Sequence, residues 1–119
     1  MIDWDRVEEL RDEVGAEDFD EIALLFLQEV DEVSARLASA PEPATLQADL
    51  HFLKGSALNL GFARLARLCA EGERLAAEGA AVALAPLLTC YAGSRRQFLA
   101  RTGLSPLGSE HGTGVAAGL

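Results

Sequence analysis

A histidine, a lysine three residues on and a glycine directly after it form the part of this sequence best suited to chemistry: His51, Lys54 and Gly55. They fall inside an apolar repeat, Leu46, Leu50, Leu53, Ala57 and Leu60, whose alternating spacing of four and three residues is that of a helix packed almost parallel to its neighbours. At 100° per residue that stripe centres about 140° away from His51, so the imidazole faces water. Lys54 puts a cation on the same side, where an ammonium group meets an anion bound to the ring. Gly55 lies almost opposite the stripe, where alanine would be free, and glycine inside a helix costs roughly 1 kcal/mol relative to alanine. A cleared turn beside an exposed ring lets something bulky approach it. Neutral imidazole is a competent nucleophile near pH 7, and a lysine beside it balances charge on a transferred phosphoryl group.

Little else in the chain offers chemistry. There is no phosphate-cradling glycine loop, no Ser-His-Asp set and no cluster of His, Cys or paired acids at metal-ligand spacing. A lone histidine this exposed needs its substrate delivered by another protein. Cys69 and Cys90 sit inside helical patterns and read as reduced core residues, and His111, in the glycine-rich C-terminal stretch, reads as idle.

The elements that must position His51 are helices. The first runs over about 3–14 and stops at Gly15. The second spans about 18–39, with Asp18 as its cap and Glu21 completing an acidic capping box. Its stripe is Phe19, Ile22, Phe26, Val30, Val33 and Leu37, broadened by Leu25 and Leu27. Pro41 and Pro43 end that helix and open the third, about 43–60, which Gly61 stops. A fourth, about 62–78, carries Leu65, Leu68, Gly72 and Leu75. Gly72 is out of place on that stripe, where it either admits a second helix closely or is filled by a neighbour. A fifth, about 82–102, carries Leu84, Leu87, Leu88, Tyr91, Phe98 and Leu99, tolerates Pro86 in its first turn, and closes at Gly103. Long helices with short links predict an all-α fold, an antiparallel up-and-down four-helix bundle with the short first helix as a lid, over residues 1–102. Residues 103–119 read as a flexible glycine-rich tail.

Composition agrees and excludes other classes. The chain has 119 residues, enough for one core, with half of them hydrophobic and only 6% aromatic. Ten Lys and Arg against nineteen Asp and Glu give a net charge of −9, which argues against nucleic acid and anionic membrane as partners. No apolar run approaches the roughly 18 residues of a membrane span, and residues Met1 to Asp5 lack a secretory pattern, so a cytoplasmic monomer is expected.

The segment His51-Phe52-Leu53-Lys54-Gly55-Ser56-Ala57-Leu58-Asn59-Leu60-Gly61 closely resembles the signature of histidine phosphotransfer domains: histidine, two residues, Lys-Gly, small residues and a closing glycine. The likeness is strong over about 43–78 and rests on helix layout alone over about 3–102. It implies a phosphotransfer intermediate rather than an independent kinase. The histidine takes a phosphoryl group from the aspartate of one receiver domain, as in a hybrid histidine kinase, and passes it to the receiver of a response regulator. The Mg²⁺ belongs to the receiver, so the resemblance implies no cofactor on this chain. It also places Glu73 where the family often has a polar residue, commonly Gln, bonded to the histidine's other nitrogen; a carboxylate there accepts from Nδ1–H and leaves the Nε2 lone pair free. Ala44, Ala48, Gly55 and Leu58, on or near the His51 face, form the expected docking patch for a receiver. Two other readings belong beside this one. One is an adaptor that binds a receiver or kinase without carrying phosphate, against which the histidine argues. The other is the phosphorylatable module of a chemotaxis-type kinase, in which kinase domains would follow.

Overall fold

The corner between the third and fourth helices shows how the chain is held, and a computed structural model describes it together with the rest of residues 1–106. Five helices run in order: α1 (Trp4–Val14), α2 (Ala16–Ser39), α3 (Pro43–Leu60), α4 (Ala63–Ala77) and α5 (Leu84–Thr102), with no strand among the described residues. Residues 107–119, and with them His111 and most of the expected tail, lie outside the described residues. Of that tail's first residues, Leu104 packs against the core.

Gly61 ends α3 at φ +80°, the left-handed region that glycine enters without a side-chain penalty. Phe62 N–H donates to Ala57 O at 2.8 Å and Gly61 N–H to Leu58 O at 3.4 Å, the paired bonds that close a helix in this way. The Gly61 carbonyl then accepts from Asp3 N–H at 2.6 Å, tying the start of α1 to this corner. Asp3 also caps α1, its side chain accepting from Arg6 N–H at 3.3 Å.

Two helix starts differ from the sequence expectation. Gly15, at φ +91°, ends α1 and begins α2 at once, so α2 starts at Ala16 and no Asp18 cap forms. Asp18 sits instead in the first turn, where the unpaired N–H groups favour a carboxylate. The buried line of α2 runs through Phe19, Ala23, Leu27, Val30 and Leu37; Ile22, Phe26 and Val33 are half-buried at its margin, and Leu25 is 52% exposed. α5 begins at Leu84, two residues later than expected, with Pro86 in its first turn.

The core is a shared aromatic and leucine cluster. Phe62 meets Phe98 edge-on at 5.5 Å, and Trp4 of α1 stacks on Phe98 at 6.3 Å. Leu50, Leu53, Ala57 and Leu60 of α3 are all buried, as their spacing predicts. Asp31 of α2 accepts from the Tyr91 hydroxyl at 2.6 Å and is gripped by the Arg95 guanidinium of α5 at 3.0 Å. Cys69 and Cys90 are buried free thiols, and burial, aided by Cys90, pushes Cys69 up to about 12, which keeps it an inert thiol. α3 packs on α1, α2 and, most extensively, α4; α5 closes against α2 and α4.

Gly72 finds its reason in the α3–α4 contact. A Cβ at that position would stand 3.1 Å from Leu50 Cδ1 and 3.2 Å from Val82 Cγ1. Leu50 and Val82 therefore fill the space a side chain would take, and α4 lies close on α3.

The Gly61 corner generates a stability prediction. A Cβ there would meet Asp3 O at 2.6 Å, on top of the left-handed penalty, whereas at Gly103, also left-handed at φ +78°, it would meet nothing within 4 Å. Gly61→Ala should cost about 2 kcal/mol or more and Gly103→Ala about 1 kcal/mol, read from urea midpoints. Equal losses would show that the Asp3 contact yields freely.

Candidate functional site

His51 stands on the outer side of α3 with its side chain 69% exposed. The leucine line on the opposite side of the helix turns it outward, and α4 supplies its partner. Because α4 comes close at Gly72, the next residue, Glu73, reaches across to α3. Glu73 Oε2 lies 2.8 Å from His51 Nδ1. Its other oxygen, Oε1, lies 2.8 Å from Lys54 Nζ. Three side chains from two helices thus form a single chain, ring to carboxylate to ammonium.

The electrostatics keep that carboxylate charged. The hydrogen bond from Lys54 holds the Glu73 carboxyl below the usual carboxylate range; partial burial works against this, and the bond to His51 adds to the lowering. An ionised carboxylate only accepts, so Nδ1 is the donor, and in the neutral ring Nε2 then carries the lone pair. Lys54 differs from its sequence expectation. Its ammonium group is committed to Glu73 rather than standing free toward the ring's outer nitrogen, because the carboxylate is the nearest anion.

Gly55 opens the space that the sequence suggests: a Cβ built on it meets nothing within 4 Å. Ala44, Ala48, His51, Gly55 and Leu58 are all exposed along one side of α3, and Leu58 reaches 56% exposure. A shallow depression of about 400 Å³ adjoins the ring, lined by Ala44, Gln47, Ala48, His51 and Glu73. Gln47 was not anticipated. Its position one turn before His51 is the signal that points to it, since residues four apart share a helix face. On the α2 side, Arg36 pairs with Asp49 at 2.7 Å and fixes the two helices against each other near the site. Among the described residues, no group of three or more His, Cys, Asp or Glu could hold a metal ion, and no helix is long and apolar enough to cross a membrane.

Comparison with protein families gives a match to the model of the Hpt domain over residues 21–101. The chain belongs to the Hpt domain family. No curated protein and no solved structure gives a significant match. Hpt domains work through phosphohistidine in two-component signalling and interact with receiver domains. The matched stretch runs from the first turns of α2 almost to the end of α5, so it holds His51, Lys54, Gly55 and Glu73 and leaves α1 outside. Within this Hpt domain the contact to Nδ1 comes from the carboxylate of Glu73, at the position where the resemblance places a polar residue, commonly Gln.

The Nδ1–Glu73 bond should be visible in nitrogen NMR of the free protein. The Nδ1–H tautomer of His51 should dominate, and Glu73→Ala should return the ring to the Nε2–H-rich mixture of an unconstrained histidine. A tautomer ratio that does not move would show that Glu73 does not govern the ring.

Proposed function

We propose that this Hpt domain relays a phosphoryl group between aspartates of receiver domains, with His51 as the residue phosphorylated on Nε2. The Nε2 lone pair attacks the phosphorus of a receiver's aspartyl phosphate, the phosphorus–oxygen bond breaks, and the aspartate leaves with its electron pair. The reverse attack, by the aspartate of a second receiver, removes the group. Upstream and downstream partners are then the receivers of a hybrid histidine kinase and of a response regulator. Mg²⁺ is supplied by the receiver in each step.

The observation that carries this reading is the pairing of a 69% exposed ring with a carboxylate 2.8 Å from Nδ1. Orientation is fixed from behind while the reactive nitrogen stays open. Lys54 lies one turn away, near enough to share its charge with an arriving phosphoryl group. The receiver would dock over Ala44, Ala48, Gly55 and Leu58, with α2 and α3 in contact, burying an area near the transient end of roughly 1,200 Å². Residues 1–102 form the working domain, with α2 to α5 antiparallel in up-and-down order and α1 as a lid. The ring of neighbours α2–α3, α3–α4, α4–α5 and α5–α2 supports that arrangement. The domain acts as a monomer in the cytoplasm.

Mixing the purified chain with a phosphorylated receiver from the same genome should leave acid-labile, base-stable label on it. His51→Gln should abolish that label and keep the helical content and melting of the parent, because the side chain is largely exposed to water. Label remaining on the variant would sink the proposal.

Gly55 separates an open surface position from a working one. With nothing near its missing Cβ, Gly55→Ala should stabilise the fold by about 0.5–1 kcal/mol. Reacting atoms must come within roughly 3–3.5 Å in line, so the same methyl should slow transfer, and Gly55→Gln should nearly stop it. Parental transfer rates in both variants would show that the receiver does not close over this turn.

A further inference from the structure

Resting on the reading of His51 as the phosphorylated residue, we propose that Glu73 is a positioning residue that keeps the phosphoryl group transferable. It does so by holding a proton on Nδ1 of the phosphorylated ring into the neutral and alkaline range. The role goes beyond fixing the tautomer of the free ring, which an amide oxygen does equally well. It requires a charge.

The requirement follows from the leaving group. When a receiver aspartate oxygen attacks the phosphorus, the Nε2–P bond breaks and its electron pair returns to the ring. If Nδ1 carries a proton, the ring leaves as neutral imidazole and no proton has to move. If Nδ1 is bare, the ring must leave as an imidazolide anion, a far poorer leaving group. The competent donor is thus a ring that carries phosphate on Nε2, a proton on Nδ1, and a positive charge shared over both nitrogens.

The geometry places an anion against that charge. Glu73 Oε2 stands 2.8 Å from Nδ1, and the carboxylate is held in its ionised form by Lys54. A hydrogen bond between an ionised acceptor and a charged donor is roughly twice as strong as a neutral one. Lys54, 2.8 Å from Oε1, works the other way, by drawing part of the carboxylate's charge to itself. Several other charges on the helices around α3 and α4 are engaged elsewhere. On α2, Arg36 is bound to Asp49 of α3; on α1, Arg6 is bound to Glu9 and Glu13; on α4, Arg74 is turned toward Glu71 and Glu78. Gln47, which lines the adjoining depression, carries no charge. Among the described residues, Glu73 is in direct contact with Nδ1 and Lys54 with Glu73, and the two act on the ring proton with opposite sign.

The test loads the full chain with phosphate from phosphoramidate, a small donor, and follows loss of the group to water and to a receiver across the acid to alkaline range. Phosphorus NMR reads the same titration directly. Parent, Glu73→Gln and Lys54→Ala are compared, with melting checked for each. The rate should fall as pH rises through the loss of the Nδ1 proton. In Glu73→Gln, which keeps an acceptor at Nδ1, the midpoint should move down by about one pH unit, about a tenfold slower rate on the alkaline side. In Lys54→Ala it should move up. An unmoved midpoint in folded Glu73→Gln, or a downward shift in both variants, overturns the proposal and leaves Glu73 as a brace. A parent that takes no label at His51 overturns the phosphotransfer reading itself, which is a separate outcome.

Discussion

The close approach of α4 to α3 is the constraint from which the site follows. Leu50 and Gly72 touch where the two helices meet, and each stands directly before a residue of the site: His51 on α3, Glu73 on α4. The missing side chain at Gly72 lets Leu50 Cδ1 come within 3.1 Å of where a Cβ would be. A larger residue would hold the helices apart, and a carboxylate on a short side chain could not span both Nδ1 and Nζ at 2.8 Å. A glycine that weakens its own helix by roughly 1 kcal/mol thus sets the reach of the residue beside it. The Gly61 corner acts on the same contact from one end, since a tight turn there leaves α4 no freedom to slide along α3. On the far side, Asp31, Tyr91 and Arg95 join α2 to α5, away from the His51 face.

The core and the site make opposite demands on α3, and one helix meets both. Leu50, Leu53, Ala57 and Leu60 are buried, while His51, Gly55 and Leu58 are exposed. Glu73 lies between these limits, with its side chain 19% exposed. In that intermediate setting a carboxylate is shielded enough for its bonds to count and hydrated enough to stay charged. The bond from Lys54 outweighs what partial burial costs the charged form. Full exposure would let water screen the pair, and full burial would drive the acid neutral.

Much of this could be read in the sequence, and the exceptions have physical causes. α3 was legible almost residue by residue because its apolar spacing is regular and both ends carry strong punctuation, Pro43 and Gly61. The outward direction of His51 followed from the same spacing. The start of α2 was misread because Asp18 makes a good cap on paper, while Gly15 serves both helices at once. The buried line of α2 runs through Ala23, a residue too small to mark a stripe, so spacing alone puts Leu25 on the apolar face though it is exposed. Contacts between helices were the least legible. The Glu73 position could be suggested only by resemblance, and the pairing of Lys54 with it depends on how close α4 lies, which no spacing within α3 reveals. Gly72 stands out as an anomaly on its stripe, but its partner Val82 sits in a loop with no periodic signal.

The exposure of His51 also limits what this chain does alone. An isolated imidazole in water has no means to polarise a phosphoryl group, exclude solvent or neutralise three oxygens. The Hpt domain fixes the ring from behind and clears the turn in front, and everything else a transfer step needs has to arrive with the partner. That division favours a relay. A site that bound phosphate tightly by itself would hold the phosphorylated state in a well, and each further transfer would have to climb out of it. In the free domain Lys54 is engaged by Glu73, so its charge is shared between that carboxylate and an arriving phosphoryl group. In the proposed relay, acceptance and release would then depend on which receiver closes over Gly55, and direction would be set by the relative stability of the two aspartyl phosphates.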